Sequence, residues 1–475
     1  MGQLSCAVTP RGQGDCNDDI RLPNYIEHAP SHITKKDLDY LQSKGALGLP
    51  HYKVQMKQWK AYWKYAYPCN PILDPTEIMN IMQGHKSRTK ISLFLFQCVL
   101  LVGRLFLDIH EGSCTNSVHL QAMFQKIRLL YNLGWETNPF VVLKSLLLMT
   151  WFPQSVDESK GQAYWITQAV SLAFRIGLHR DPSQLDIEQR LRSLRKRLWW
   201  CLYVRERTLN LDAGLPWIID ENDYDVPMIT IHDFELVPPS CGFEDNIPFA
   251  ELGAINRQRQ IALMSVERAA LMVLVGRLPS ISIHIADRSK KRPGKPLLHT
   301  HGQRLNKLSI DEFDYSLDQW MNNLPPEVNY HGSNSLASWV GDGQLYMHCT
   351  MLRLSYSIVR LQSAALRYLQ NKSIVDHRSR KMVSAACFLI IDLIEELNYH
   401  EYSAYVPLYG FSTLRPVLIW AIISQEQNIK RYQGFPQLLA LQYKVGKADP
   451  YYLLFQSYLQ HKNITMKEDT LYLSP

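Results

Sequence analysis

No two of the nine cysteines stand in a C-x-x-C pair, and their number is odd. An odd, scattered set argues against a disulfide framework and favours reduced core thiols in an intracellular protein. The N-terminus lacks the apolar core of a signal peptide, and Cys6 stands where an acylation signal wants Ser or Thr. The longest apolar run, Ile91 to Gly103, is interrupted by Gln97 and followed by Arg104. It reads as a core helix rather than a membrane span. Enzyme signatures are missing too. Gly410-Phe-Ser412-Thr-Leu414 fails the last position of G-x-S-x-G, Gly294-Lys295 lacks the rest of a phosphate loop, and no H-E-x-x-H occurs. His28 and His32 are separated by Pro30, which breaks a helical metal pair, and His299 and His301 lie in a polar stretch read as solvated. A net charge of +7 over 475 residues is too mild to mark a nucleic-acid surface by itself.

Helical signals fill the chain. Thr34 caps and Gly45 stops a helix over 35–44. The seam Tyr52, Met56, Trp59, Trp63 and Ala66 follows, and Asp74-Pro75-Thr76-Glu77 is a helix start. Further helices are predicted over 91–108, 118–133, 140–151, 252–277, 344–369 and 381–397. Another, capped by Ser309 with Glu312, ends near Asn323, and an apolar segment spans 405–425. Strand signals are few, which predicts an all-α fold. Residues 1–20 read as a flexible leader and 284–305 as a basic loop or linker where two lobes meet. Residues 306–475 read as a C-terminal helical region whose Tyr-rich apolar faces suit docking.

The most informative stretch is Gly161 to Met228. Ala163, Ile166, Ala169, Val170, Ala173 and Ile176 form one buried stripe, Gly177 fits a left-handed stop, and Asp186 is expected to cap the next helix. In that helix Leu191, Leu194, Leu198, Cys201, Leu202 and Leu209 share a face, with Arg205 among them. Trp199 and Tyr203 lie opposite, and Arg195 falls on an intermediate face where truncation should cost little. A helix apolar on two sides is packed on two sides. The buried Arg205 then needs a partner, expected from the acidic run Asp220, Glu221, Asp223 and Asp225. Seven positive charges over Arg190 to Arg207 suggest a nucleic-acid surface, but internal pairing is the better account.

Three motifs in this stretch carry a resemblance. Gly177-Leu178-His179-Arg180-Asp181 is followed by Arg195-x-x-x-Trp199-Trp200-x-x-Tyr203, then by Asp223-Tyr224-Asp225-Val226-Pro227. In this order and spacing they resemble the fungal-specific transcription factor domain, the middle homology region of binuclear zinc-cluster regulators. Leu22 to Leu47 and Met228 to Glu235 are similar to the cutinase transcription factor branch, and the resemblance runs over roughly residues 21 to 420. Glu206 and Leu215 depart from the family's Asp and Arg, which implies an altered salt-bridge network.

The resemblance implies a large multi-helix all-α domain of the middle homology type over 21–283 and a non-enzymatic, nuclear regulator of transcription. It assigns the motif residues a structural role, His179 fixing the turn after its helix. Family members read DNA with six cysteines in two C-x2-C-x6-C arms holding two zinc ions, whereas here only Cys6 and Cys16 precede Cys69. No cofactor is therefore expected in this chain, zinc belonging to the cluster it lacks. The chain resembles the regulatory half of such a factor, either a natural variant without the reader or a truncated gene model. Expected partners are other transcription factors or a related full-length factor, with DNA reached indirectly, no membrane, and in some members a small-molecule effector. Two further readings stay open: a DNA-free partner or dominant inhibitor of a relative, and a helical ligand-binding protein or enzyme. Arg288, Lys290, Lys291, Arg292 and Lys295 form the candidate nuclear signal.

Overall fold

The computed structural model describes residues 22–83, 90–111, 118–152, 160–237, 253–285, 296–301, 307–329, 343–370, 377–402 and 404–406. Twelve α-helices dominate them: α1 Lys35–Ser43, α2 Tyr52–Ala61, α3 Pro75–Gln83, α4 Leu93–His110, α5 Val118–Asn132, α6 Pro139–Met149, α7 Gln162–Arg175, α8 Gln189–Ala213, α9 Ile255–Gly276, α10 Lys307–Asn322, α11 Gly343–Gln370 and α12 His377–Tyr399. The all-α expectation is met, with one addition. β1 Ser280–Ile285 pairs antiparallel with β2 Pro296–His301, so the ends of the predicted basic linker close into a hairpin. The basic cluster Arg288 to Lys295, the apolar segment from residue 407 and the leader all lie outside the described residues.

Local chemistry accounts for the element boundaries. Thr34 and Asp37 form the capping box of α1, and Asp74 Oδ1 accepts from the Thr76 and Glu77 amides (2.9 and 3.1 Å) at the start of α3. α2 widens into a π-turn over Tyr62–Ala66, which buries Tyr62, Trp63 and Tyr65 together. Two predicted caps differ. Ser309 lies inside α10, which begins at Lys307. Asp186 does not cap α8, whose first turn follows Glu188. Asp181 instead caps the short 3-10 turn Pro182–Gln184, its Oδ1 accepting from the Ser183 amide at 2.9 Å.

α4 is the hub of the N-terminal helices and packs against α2, the π-turn, α5 and α6. At 18 residues α4 is longer than the apolar run seen in the sequence, and by length and composition it could cross a membrane. Burial identifies it as a core helix, since 83% of it lies inside the fold. Gly103 permits the closest approach: a Cβ there would stand 1.8 Å from the Gln58 carbonyl oxygen. α7 then packs on α6 and α8, α8 on α9, and α11 on α9, α10 and α12, which makes α8 the link between the two halves.

Candidate functional site

The three motifs converge around α8. Gly177 adopts φ +65° just past α7, and the Leu178 amide returns to the Ala173 carbonyl at 2.9 Å. Arg195 Nη2 reaches the Ile176 and Gly177 carbonyls (3.3 and 3.2 Å), while its guanidinium lies over the Phe140 ring at 5.2 Å. A cation at a helix C-terminus is favoured there, so these contacts argue against the expectation that truncating Arg195 costs little. Asp225 ties the third motif to the first. Its Oδ1 accepts from the Asp181 amide at 2.7 Å, its own amide donates to the His179 carbonyl at 3.2 Å, and its Oδ2 pairs with Arg180 at 3.6 Å. His179 stacks on Phe174 at 4.6 Å, and burial beside Arg180 holds its ring below the usual imidazole range.

Trp199 is fully buried between Phe174 (6.0 Å, edge-on) and Tyr224 (5.3 Å). Trp200 donates its indole N–H to the Pro227 carbonyl at 2.9 Å, and Val226 beside it is buried. The Tyr203 hydroxyl donates to Glu221 Oε1 at 2.5 Å, and the Tyr224 hydroxyl to Glu221 Oε2 at 2.8 Å. Burial, and then the carboxylate they serve, pushes both phenols up; Arg207 offsets part of this. Asp223 is exposed and only its amide is engaged, donating to the Asp220 carbonyl at 3.1 Å.

The acidic exit loop pairs with Arg207, not with Arg205 as expected. Arg207 Nη2 donates to Glu221 Oε1 (2.8 Å) and the Ile219 carbonyl (2.7 Å), and Nη1 pairs with Glu206. The guanidinium lies 4.4 Å from the Tyr203 ring centre. Glu206 Oε1 also accepts from the Asn210 side chain and the Ile218 amide, both at 2.7 Å. Burial pulls the Arg207 guanidinium down, but Glu206, Tyr203 and Glu221 more than offset it and hold it up. A Cβ on Gly276 of α9 would meet Glu221 Oε1 at 2.2 Å and Tyr203 Oη at 2.6 Å. Sequence reasoning missed Gly276, because nothing local marks a helix-end glycine as a contact.

A family model described as the fungal specific transcription factor domain matches residues 59–322, more than half the chain. The chain belongs to that family. It is 28% identical over 459 residues to cutinase transcription factor 1 beta of Fusarium vanettenii, covering 90% of this chain and 51% of that protein. It is 30% identical to the transcription factor cpaR of Aspergillus oryzae, over 65% of this chain and 52% of that one. It is 24% identical to the acetamidase regulatory protein of Aspergillus oryzae, over 86% and 47%. No solved structure matches. The chain thus spans about half the length of the curated relatives it matches. The family model and these relatives are all named as transcription factors or regulatory proteins, and none as an enzyme.

In this fungal-specific transcription factor domain all seven cations of α8 have partners inside the protein. Arg190 pairs with Asp74 (3.1 Å) and Glu235 (2.8 Å), Lys196 with Asp233 (2.8 Å) and Arg197 with Asp74 (3.6 Å). Arg192 reaches the Leu185 carbonyl at 3.0 Å, and Arg195 and Arg207 are engaged as above. Arg205 donates from Nε to Thr150 Oγ1 (2.9 Å) and from Nη2 to the Thr150 carbonyl (3.0 Å), and lies 4.4 Å from the Trp151 ring centre. Leu191, placed on the buried stripe by periodicity, is half exposed at the helix start.

Among the described residues no ligand set fits the zinc that the family's cysteine cluster holds. Among the described residues no three His, Cys, Asp or Glu side chains gather to hold a metal, and Cys69, Cys98, Cys201, Cys349 and Cys387 are separate buried thiols. Cys6, Cys16, Cys114 and Cys241 lie outside the described residues. His28 and His32 turn apart, to Lys90 (3.1 Å) and the Gly134 carbonyl (2.8 Å).

Proposed function

We propose that the chain is the regulatory region of a nuclear transcription regulator and acts on DNA through a protein partner. The family match over 59–322 carries the regulatory half of this reading. The internal engagement of every α8 cation supports the indirect route to DNA, because each guanidinium or ammonium group already serves a carboxylate, carbonyl or hydroxyl of the protein. Docking would use the C-terminal helices, where Tyr315 and Tyr399 stand exposed. A related full-length factor is the partner that the shared domain suggests.

The test is to fuse the chain to a heterologous DNA-binding module and follow a reporter. Output is expected to differ from the module alone, and Trp199→Ala to erase the difference. A fusion that is nuclear and indistinguishable from the bare module would refute the reading. Nuclear entry is assigned to Arg288, Lys290, Lys291, Arg292 and Lys295, since a 55.1 kDa chain is too large to rely on passive entry. A tagged chain with Lys290, Lys291 and Arg292 changed to Ala is expected to stay cytoplasmic while its parent enters the nucleus. A parent excluded under all conditions counts against the regulatory reading itself.

A further inference from the structure

A small cavity of about 30 Å³ lies where α8, α9, α11 and the turn after the π-helix meet. It is lined by Cys69, Asn70, Trp151, Val204, Arg205, Thr208, Arg268 and Ser355. Its walls are chemically one-sided, with two guanidinium groups and no carboxylate. Arg268 is only 6% exposed. Its Nη1 donates to the Cys69 carbonyl at 2.7 Å and more weakly to that of Pro68 at 3.3 Å, while its Nη2 has no hydrogen-bond partner within the protein. Asn70, 7% exposed, likewise has an Nδ2 without a protein partner. The two hydroxyls on the wall are already committed as donors, Thr208 to the Val204 carbonyl at 2.7 Å and Ser355 to the Met351 carbonyl at 2.8 Å.

A buried charged N–H without an acceptor is costly, and a second guanidinium lining the same cavity adds to the positive potential. Nearby groups respond to that potential. Burial and then Arg268 and Arg257 hold His348 well below the usual imidazole range. Roughly 10–15 Å³ of such volume holds one water, so the cavity matches a group of two or three heavy atoms. It is far smaller than the ~300–1,000 Å³ of a drug-sized pocket.

We propose that this cavity binds the carboxylate group of a small organic acid, with Arg268 Nη2 and Asn70 Nδ2 as its donors and Arg205, which lines the same cavity, supplying charge. A carboxylate offers acceptors on both oxygens, which suits two unpartnered donors, one on α9 and one in the turn, at residues lining one cavity. Occupancy would tie α8 to α9 beside the motif network. That such a tie sets regulatory output rests on the reading above; the site itself does not.

The experiment is a set of thermal melts of the whole chain in sodium acetate and in sodium chloride at matched ionic strength. Acetate is expected to raise the midpoint saturably, on the order of 5 °C at high occupancy. Arg268→Met should lose that response. Asn70→Asp places a carboxylate beside Arg268 and should melt higher than the parent without acetate, and ignore added acetate. If Arg268→Met does not fold, the Asn70→Asp arm decides alone. Equal, unsaturating shifts by both salts would overturn the proposal, as would a saturable response to chloride only, or an Asn70→Asp chain that is destabilised and still answers to acetate. None of these outcomes touches the reporter assay, so the two readings fail separately.

Discussion

Gly276→Ala separates helix propensity from packing. In a free helix Ala is preferred to Gly by roughly 0.8–1 kcal/mol, so propensity alone makes the substitution neutral or stabilising. The fold says otherwise. The added methyl would stand 2.2 Å from Glu221 Oε1, and that oxygen cannot yield cheaply because Tyr203 and Arg207 both donate to it. Overpacking of this kind costs about 1–3 kcal/mol, to which part of a charge-assisted hydrogen bond, itself about 1.5–3 kcal/mol, is added if the carboxylate moves. Gly276→Ala is therefore expected to destabilise by about 2–4 kcal/mol net. The assay is urea unfolding followed by far-ultraviolet circular dichroism, with the slope checked for constancy. Glu221→Ala supplies the second corner of a cycle. In that background the clashing oxygen is gone, and the cost of Gly276→Ala should fall by at least about half. A stabilising Gly276→Ala, or an equal cost in both backgrounds, would refute the placement of Glu221 between α8 and α9.

Three further outcomes are expected from the same measurements. Trp199→Ala, which empties a fully buried site, should cost about 3–5 kcal/mol. Arg195→Ala should cost about 1–2 kcal/mol by releasing the two carbonyls at the end of α7; a neutral result would restore the sequence-based expectation. Acidification from pH 7 should destabilise the chain below about pH 6.5, because burial and the nearby Arg268 and Arg257 keep His348, beside Cys69, neutral in the fold so that it takes up its proton on unfolding, and His179, also held below the usual imidazole range, adds in the same direction. Stability contributed by these groups is thus present above that pH and lost as pH falls. His348→Gln should flatten the stability-against-pH slope, and an unchanged slope would clear His348 of the effect.

Signals that depend on neighbouring residues were readable in advance. Thr34 before α1, Asp74 before Pro75 and Gly177 after α7 each act within one helical turn, and the structure places each as expected. The buried Trp199 followed from helical periodicity. The partner of Arg205 did not, because the acidic loop is near it in sequence while the end of α6 is near it in space. Ser309 and Asp186 look like caps to a local rule, but the helices begin where packing starts them. The hairpin over 280–301 was hidden by its charged middle. Arg268 and Asn70, separated by almost the whole N-terminal half, carry no shared pattern that one sequence could display.

The burial of α4 has a consequence for how the chain is made. Its apolar surface is covered by α2 and the π-turn, which precede it, but also by α5 and α6, which follow. During synthesis an 18-residue segment apolar enough to enter a bilayer therefore leaves the ribosome before its cover exists. Nascent chains stalled between α4 and α6 would expose that apolar surface to solvent. Truncated transcripts ending in that interval would yield aggregates rather than shorter regulators.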